Sequence, residues 1–506
     1  MRHALDAIVL LSDGIRGHLH QSRGVAHWLS GAAGVPVFEM EVPRFSGVRR
    51  LWILKIAPHF FAWRRTPEAR RKSACAWLHL AGRFAERDLF PAELLEAVRR
   101  HLKEGGGESF LGAIAPNEDE NKMDVKDGDG VVTSLPPPAE RPVKRILFLS
   151  AGSAAAPFCL ALARSCEGFF PGVEGVSCTL MTPSGLGIAP FDAALVPEHD
   201  LSGVPTRFGA RGNAPEGKHG PFLCVTLGAP NAIVPENLET ASEELLRRFP
   251  PSVPESPRWG ILLGGDDGNY RVSASWVRDT LGALFERARR ENATLYVTTS
   301  RRTSPEAENA LTQLAEAYAP TVSMLLLASK DPWNPVPGML GAAQRVFCTE
   351  DSVSMVSEAV TAGHRVVLLR VERRKSLVAF LNGLRNLLAR AGWGVSLAGP
   401  ARFDALFRRM EEAKLLMVFP SATDAREAFW RADTSEGRLR TTFCPECKEF
   451  TSKEERSGDF NEARRAAELL LAYLAGKEEK RRLLSCDASR GVHTAFSSAF
   501  RRRSDL

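Results

Sequence analysis

Short apolar runs of strand length alternate along the chain with longer segments of helical period. In the first half the runs are Ala7–Leu11, Pro36–Val42, Ile146–Ser150, Val176–Met181, Ala193–Val196 and Leu223–Thr226. In the second half they are Trp259–Leu263, Thr294–Thr299, Ser323–Leu327, Arg345–Cys348 and Arg365–Leu369. Between them apolar residues recur every three or four positions, as at Val277, Leu281, Leu284 and Phe285, and again at Leu377, Phe380, Leu381, Leu384, Leu387 and Leu388. That spacing puts one apolar stripe on a helix. Strands that are apolar throughout belong in parallel sheets covered on both faces. The pattern predicts an α/β protein of two Rossmann-like doubly wound domains facing each other across a cleft.

Three stretches interrupt the alternation. Residues 104–144 carry Gly105-Gly106-Gly107, an acidic run and Pro136-Pro137-Pro138, the composition of a disordered insertion. Gly203 to Gly220 reads as a glycine-rich loop, and the prolines between Phe249 and Pro257 read as a hinge. The expected organisation is an N-terminal domain from 1–103 and 145–248, a hinge at 249–257 and a second domain at 258–430. A variable loop with a terminal helix follows at 431–476, then a basic tail at 477–506.

Composition narrows the function classes. With 506 residues, 44% hydrophobic and 25% charged, the chain is expected to be a soluble globular protein of more than one domain. No stretch approaches the roughly 18–20 apolar residues of a membrane span. The start, Met1 to Leu11, has no small-residue cleavage site and reads as a buried strand rather than a signal peptide. The 9 cysteines are scattered through predicted strands (Cys224, Cys348) and helices (Cys75, Cys159), the usage of a reducing compartment such as the cytoplasm. A net charge of +6 makes no case for nucleic acid. Cys444 and Cys447 have the spacing of half a zinc site but no second pair, and Asp124 to Gly130 lacks the ligand spacing of a calcium loop. Neither a metal nor a cofactor is expected.

Ligands of doubly wound sheets lie at the carboxyl ends of the strands, so the residues just after each strand carry the candidate chemistry. After the first strand come Asp13, Gly14, Arg16, Gly17, His18 and Gln21, where the glycines allow close backbone approach at a helix start and the polar residues exceed what a plain turn requires. Gly264 and Gly265 end a second strand as a turn suited to phosphate. Thr299 and Arg301 end a third, with arginine able to bind phosphate through paired donors. The strongest loop holds Asp351, Ser352, Ser354 and Met355 at a helix start, where hydroxyls and the helix dipole favour an anion. Glu358, one turn in, is placed to accept from ribose hydroxyls. His199 beside Asp200 is a second candidate for a general base, along with His18. Basic residues interleave with aromatics from Arg49 to Lys72, a surface suited either to an anionic membrane face or to a buried aromatic stripe.

Several of these segments resemble the mitochondrial fission "elongate mitochondria" family, whose bacterial relatives are described as glycosyltransferases. They are Asp13-Gly14-x-Arg16-Gly17-His18-x-x-Gln21-Ser22, Val196-Pro197-Glu198-His199-Asp200, Thr226-Leu227-Gly228-Ala229-Pro230, Leu262-Leu263-Gly264-Gly265, Val297 to Thr303 and Thr349 to Ala359. Phe460 to Ala467 resembles the family's terminal helix. The resemblance implies a GT-B-like fold, with an acceptor on the first domain and a nucleotide sugar on the second, and no metal. It also implies a second reading: an adaptor that helps a dynamin-related GTPase reach the mitochondrial outer surface. The sequence departs from the family pattern at Leu19-His20, at Asn231 after Gly-Ala-Pro, and at Asp266-Asp267 after Gly264-Gly265.

Overall fold

The computed structural model describes residues 5–62, 66–86, 89–104, 144–201, 221–374, 377–390, 399–419 and 460–475. Almost all of the predicted insertion at 104–144, the glycine-rich loop at 203–220, the Cys444–Cys447 pair and the basic tail lie outside these residues, as do Trp63, Arg64 and Arg65.

The first sheet contains β1 (Ala7–Ser12), β2 (Val37–Glu41), β3 (Lys144–Ala151), β4 (Val173–Leu180), β5 (Ala193–Pro197) and β6 (Phe222–Thr226), in the order β2-β1-β3-β4-β5-β6. Every pairing in it is parallel. Alternate side chains of β1 enter opposite cores: Ala7, Val9 and Leu11 pack on one face, Ile8 and Leu10 on the other. That two-sided burial is why these strands read as unbroken apolar runs.

The second half forms β7 (Arg258–Leu263), β8 (Tyr270–Arg271), β9 (Thr294–Thr299), β10 (Val322–Leu326), β11 (Arg345–Thr349), β12 (Val366–Leu369), β13 (Glu372–Arg373) and β14 (Leu416–Phe419). Six of them make a second parallel sheet in the order β10-β9-β7-β11-β12-β14, while β8 and β13 pair as a short antiparallel ribbon. The two sheets are two doubly wound Rossmann-like units, the GT-B-like architecture expected. β14 is a strand the apolar pattern did not single out. Its four residues follow the helix Pro400–Glu412 after a three-residue turn.

Two helices tie the units together. The helix Leu238–Arg248 places Leu238 and Leu245 in the core of the second sheet, beside Met339 and Leu340. The last described helix, Glu462–Leu474, returns to the first sheet, where Ala466, Leu470 and Leu471 share a core with Ile8, Leu10, Val25 and Leu29. Its Arg465 donates to the Val225 carbonyl at 2.5 Å. The predicted stripe at Leu377 to Leu388 forms a helix (Leu377–Arg390), but it does not enter the core: Phe380, Leu381, Leu384 and Leu387 are exposed.

Candidate functional site

In each sheet the strand order reverses at one point, between β1 and β3 in the first and between β7 and β11 in the second. Such points open a crevice at the carboxyl ends of the strands. The loops after β1 and β11 are two of those the sequence singled out.

On the first side, the turn after β1 is built by short polar bonds. The Gly14 N–H donates to Ser12 Oγ at 3.1 Å and the Ile15 N–H donates to Asp13 Oδ1 at 3.1 Å. Gly14 sits at φ +74°, a left-handed conformation that favours glycine, and the exposed Arg44 guanidinium lies over it. The other oxygen of Asp13, Oδ2, lies 2.9 Å from His18 Nδ1. The Asp13 side chain is buried, whereas His18 stays about a quarter exposed at 24%. Burial alone would push the Asp13 carboxyl up, but the hydrogen bond and charge of His18, helped by the Ile15 N–H, bring it below its ordinary value. An ionised Asp13 makes Nδ1 the protonated nitrogen and leaves the lone pair on Nε2. Gly152, just after β3, leaves room for this pair: a Cβ there would come within 2.3 Å of His18 Nδ1.

On the second side, most of the polar groups are engaged within the fold. The Gly264 N–H donates to Thr349 Oγ1 at 2.7 Å and the Gly265 N–H donates to Asp351 Oδ2 at 2.8 Å. Arg302 donates to the same oxygen at 2.9 Å, and Thr303 Oγ1 donates to the Gly264 carbonyl at 2.6 Å. The Asp351 side chain is fully buried, and burial raises its pKa despite the Gly265 N–H and Arg302. Gly264, Gly265 and Asp351 therefore brace the crevice through both glycine N–H groups and Asp351 Oδ2, while Asp351 Oδ1 is buried with no partner among the described residues. Asp266 and Asp267 are also paired: Asp266 with the Val272 N–H and Arg374, Asp267 with the Asn269 and Tyr270 N–H groups and, at 3.8 Å, with Arg302. Their charge is compensated where it stands.

What remains open is the start of the helix Val353–Thr361. Ser352 occupies the N-cap position without a side-chain capping bond, and Ser352, Ser354, Met355 and Glu358 are half-buried. The first N–H groups of a helix have no intrahelical acceptor and carry its positive dipole end. Across the cleft, His20 Nδ1 of the first unit lies 3.8 Å from Glu358 Oε1, and Arg16 donates to the Pro332 carbonyl at 3.5 Å. The two loops read from the sequence thus face each other.

The other predicted residues lie elsewhere. Thr299 is buried and bonded to Glu308 and to the Ala328 N–H, inside the second unit. Arg301 is exposed, and its neighbour Arg302 is the arginine that reaches the loop of Asp351. Gly17 has open space around it, and the Gln21 amide oxygen is sealed from solvent with no partner among the described residues. His199 and Asp200 sit on the short helix after β5, at a seam with the helix Pro400–Glu412: Asp200 meets Arg402 at 3.4 Å, Glu198 meets Arg409, and the His199 ring lies 5.3 Å from that of Phe403. Burial, reinforced by Arg402 and opposed by Asp200, lowers the His199 pKa to about 4. Asn231 is buried and bonds Thr361 Oγ1 at 2.9 Å and the Ile233 N–H at 3.1 Å, so it fastens the crossing between the units. His20, Thr349 and Arg302 are the participants that sequence reasoning did not select. All three stand in or beside the chosen loops, and only their long-range partners distinguish them. Among the described residues no cluster of His, Cys, Asp and Glu could hold a metal ion.

A family model described as "Mitochondrial fission ELM1" matches residues 16–472. A search of the curated proteins finds no match. Among solved structures, the UDP-GlcNAc 2-epimerase of Neisseria meningitidis bound to UDP-GlcNAc is 10% identical with a TM-score of 0.38, covering 92% of this chain and 99% of its own. The corresponding epimerase of Methanocaldococcus jannaschii, in complex with UDP-GlcNAc and UDP, is 9% identical at 0.36, covering 92% and 98%. The calicheamicin glycosyltransferase CalG4 is 14% identical at 0.37, covering 94% and 99%.

Proposed function

The chain belongs to the mitochondrial fission ELM1 family, and from that premise we propose that it binds a nucleotide sugar between its two units and transfers the glycosyl group. The observation that carries this reading is the Asp13–His18 pair, held at 2.9 Å at the mouth of the first sheet, on the stretch of chain whose His20 lies 3.8 Å from Glu358 of the uncapped helix on the second. His18 Nε2 accepts the proton of an acceptor hydroxyl as that oxygen bonds to the anomeric carbon, and Asp13 stabilises the resulting imidazolium. The bond from the anomeric carbon to the diphosphate breaks. The leaving charge is met by the N–H groups at the start of the helix Val353–Thr361 and by the Ser352 and Ser354 hydroxyls. Glu358 accepts from the ribose.

The test is a thermal-shift series with UDP-, GDP-, ADP- and CMP-sugars. One of them should raise the melting temperature of the wild type but not of a Ser354→Ala, Glu358→Ala double variant. His18→Ala should keep the shift and lose about 100- to 10,000-fold in transfer rate, the usual contribution of a general base. No shift with any sugar nucleotide would sink the reading. The resemblance of the sequence motifs implies the alternative of an adaptor that brings a dynamin-related GTPase to the mitochondrial surface. Recruitment left intact by both variants, with no ligand shift, would favour it.

A further inference from the structure

One helical segment of the first unit is apolar on two opposite sides. It runs from Gly47 to Ala62, with a wider π-helical turn at Leu51–Ile56 in its middle. Its inner side places Ile53, Leu54 and Phe61 in the core against Trp77, whose indole N–H donates to the Ile53 carbonyl at 3.2 Å. Its outer side carries Val48 (80% exposed), Leu51, Trp52 (46%), Ile56 and Phe60 (61%). Large apolar side chains gathered on one exposed face mark a surface that meets a partner or a membrane. Here only half of the segment has a core.

We propose that this outer side is a membrane-docking face, which lies in the interface of a bilayer bearing anionic phospholipids. The charge around it selects that partner. From Pro43 to Pro67 the sequence holds no Asp or Glu, whereas Arg49, Arg50 and Lys55 are exposed on the same segment as the apolar residues. A second copy packed on this face would bring two such cation sets together with no acid on either segment to meet them. An anionic lipid surface supplies the opposite charge, and it accepts protruding apolar side chains without needing a matching shape. The segment is too short to span: 16 helical residues rise about 24 Å, against a hydrocarbon core of about 30 Å. Among the described residues no helix is long and apolar enough to cross a membrane. Lying flat is the geometry that remains for it. The face also borders the site, because Arg44, just before the helix, stands over Gly14 in the loop of Asp13 and His18. The inference does not depend on glycosyl transfer.

The test uses the full chain in a flotation assay with vesicles of pure phosphatidylcholine, or of phosphatidylcholine containing one-third phosphatidylserine or cardiolipin. The wild type should float with the anionic vesicles and not with the neutral ones, and raised salt should weaken it. Arg49→Glu, Arg50→Glu, Lys55→Glu together should cut binding by about a hundredfold or more, from the usual contribution of each basic residue at such a surface. Val48→Ser, Trp52→Ser, Phe60→Ser should also abolish flotation, with wild-type circular dichroism confirming the fold. A conservative Arg49→Lys, Arg50→Lys variant should bind like the wild type. Equal flotation of the wild type and both disruptive variants would overturn the proposal. So would failure of the wild type to bind anionic vesicles, or sedimentation as a dimer that Trp52→Ser dissociates.

Discussion

Asp13 and Asp351 hold comparable places, each in a loop leaving a strand at the point where its sheet's order reverses. Their partners make them different devices. Asp13 pairs with a histidine that keeps part of its ring accessible, so its charge is passed to a group that can meet a ligand. Asp351 is closed off, its Oδ2 shared by the Gly265 N–H and Arg302, and these hydrogen bonds fix the loop instead. A buried carboxylate at a crevice is thus no sign of chemistry by itself. What matters is whether its partner is backbone or a side chain that can act.

The sharpest way to break the comparison is through the glycines. A Cβ on Gly265 would lie 2.1 Å from the Arg302 carbonyl carbon, which is backbone and cannot swing aside. Gly265→Ala should cost about 3 kcal/mol in denaturant unfolding. Gly17→Ala, in open space on the first side, should stay within about 0.5 kcal/mol by the same measurement.

Next come the acids themselves. Asp351→Ala leaves the Gly265 N–H without its acceptor and Arg302, part-exposed, without that partner, and should cost about 2 kcal/mol of stability. Asp13→Ala should cost about 1 kcal/mol while abolishing the rate advantage that His18 provides. A large stability loss at Asp13 with transfer intact would reverse the two roles.

The smallest effect is a difference of sign with pH. Asp13 has a lowered pKa in the folded state, so its contribution to stability is present above its ordinary value of 3.8 and is lost as pH falls below it. Asp351 has a raised pKa, so its contribution is fully present below 3.8 and is lost as pH rises through the higher folded value. Unfolding free energies measured from pH 6 down to pH 3 should show it. Relative to wild type, Asp13→Asn should lose its deficit at low pH, and Asp351→Asn should gain relative stability towards neutral pH. Parallel curves for the two would erase the distinction.

Much of the architecture was legible because strands buried on both faces leave unbroken apolar runs, and because ligand crevices follow from where those runs end. The loops of Asp13 and Asp351 were legible for the same reason. What was not legible is which group satisfies which. Arg301 and Arg302 are indistinguishable as sequence, and only the turn from Ser300 to Thr303 sends the second one to Asp351, across 49 positions. Gly264 and Gly265 looked like phosphate donors until Thr349 and Asp351, 85 and 86 positions away, proved to take their N–H groups. The stripe on Leu377–Arg390 shows the converse limit, since helical period predicts a helix but not what, if anything, covers it.

The return of the helix Glu462–Leu474 to the first sheet has a consequence for synthesis on the ribosome. One face of that sheet stays without Ala466, Leu470 and Leu471 until the chain has been made through residue 474. The second unit, whose described strands end at Phe419, then lacks only the half-buried Phe460 among its described core residues and can close most of its core earlier. Chains generally fold from the N-terminus as they emerge; here the half that is made first must finish last, and its exposed apolar face is the one a chaperone would meet.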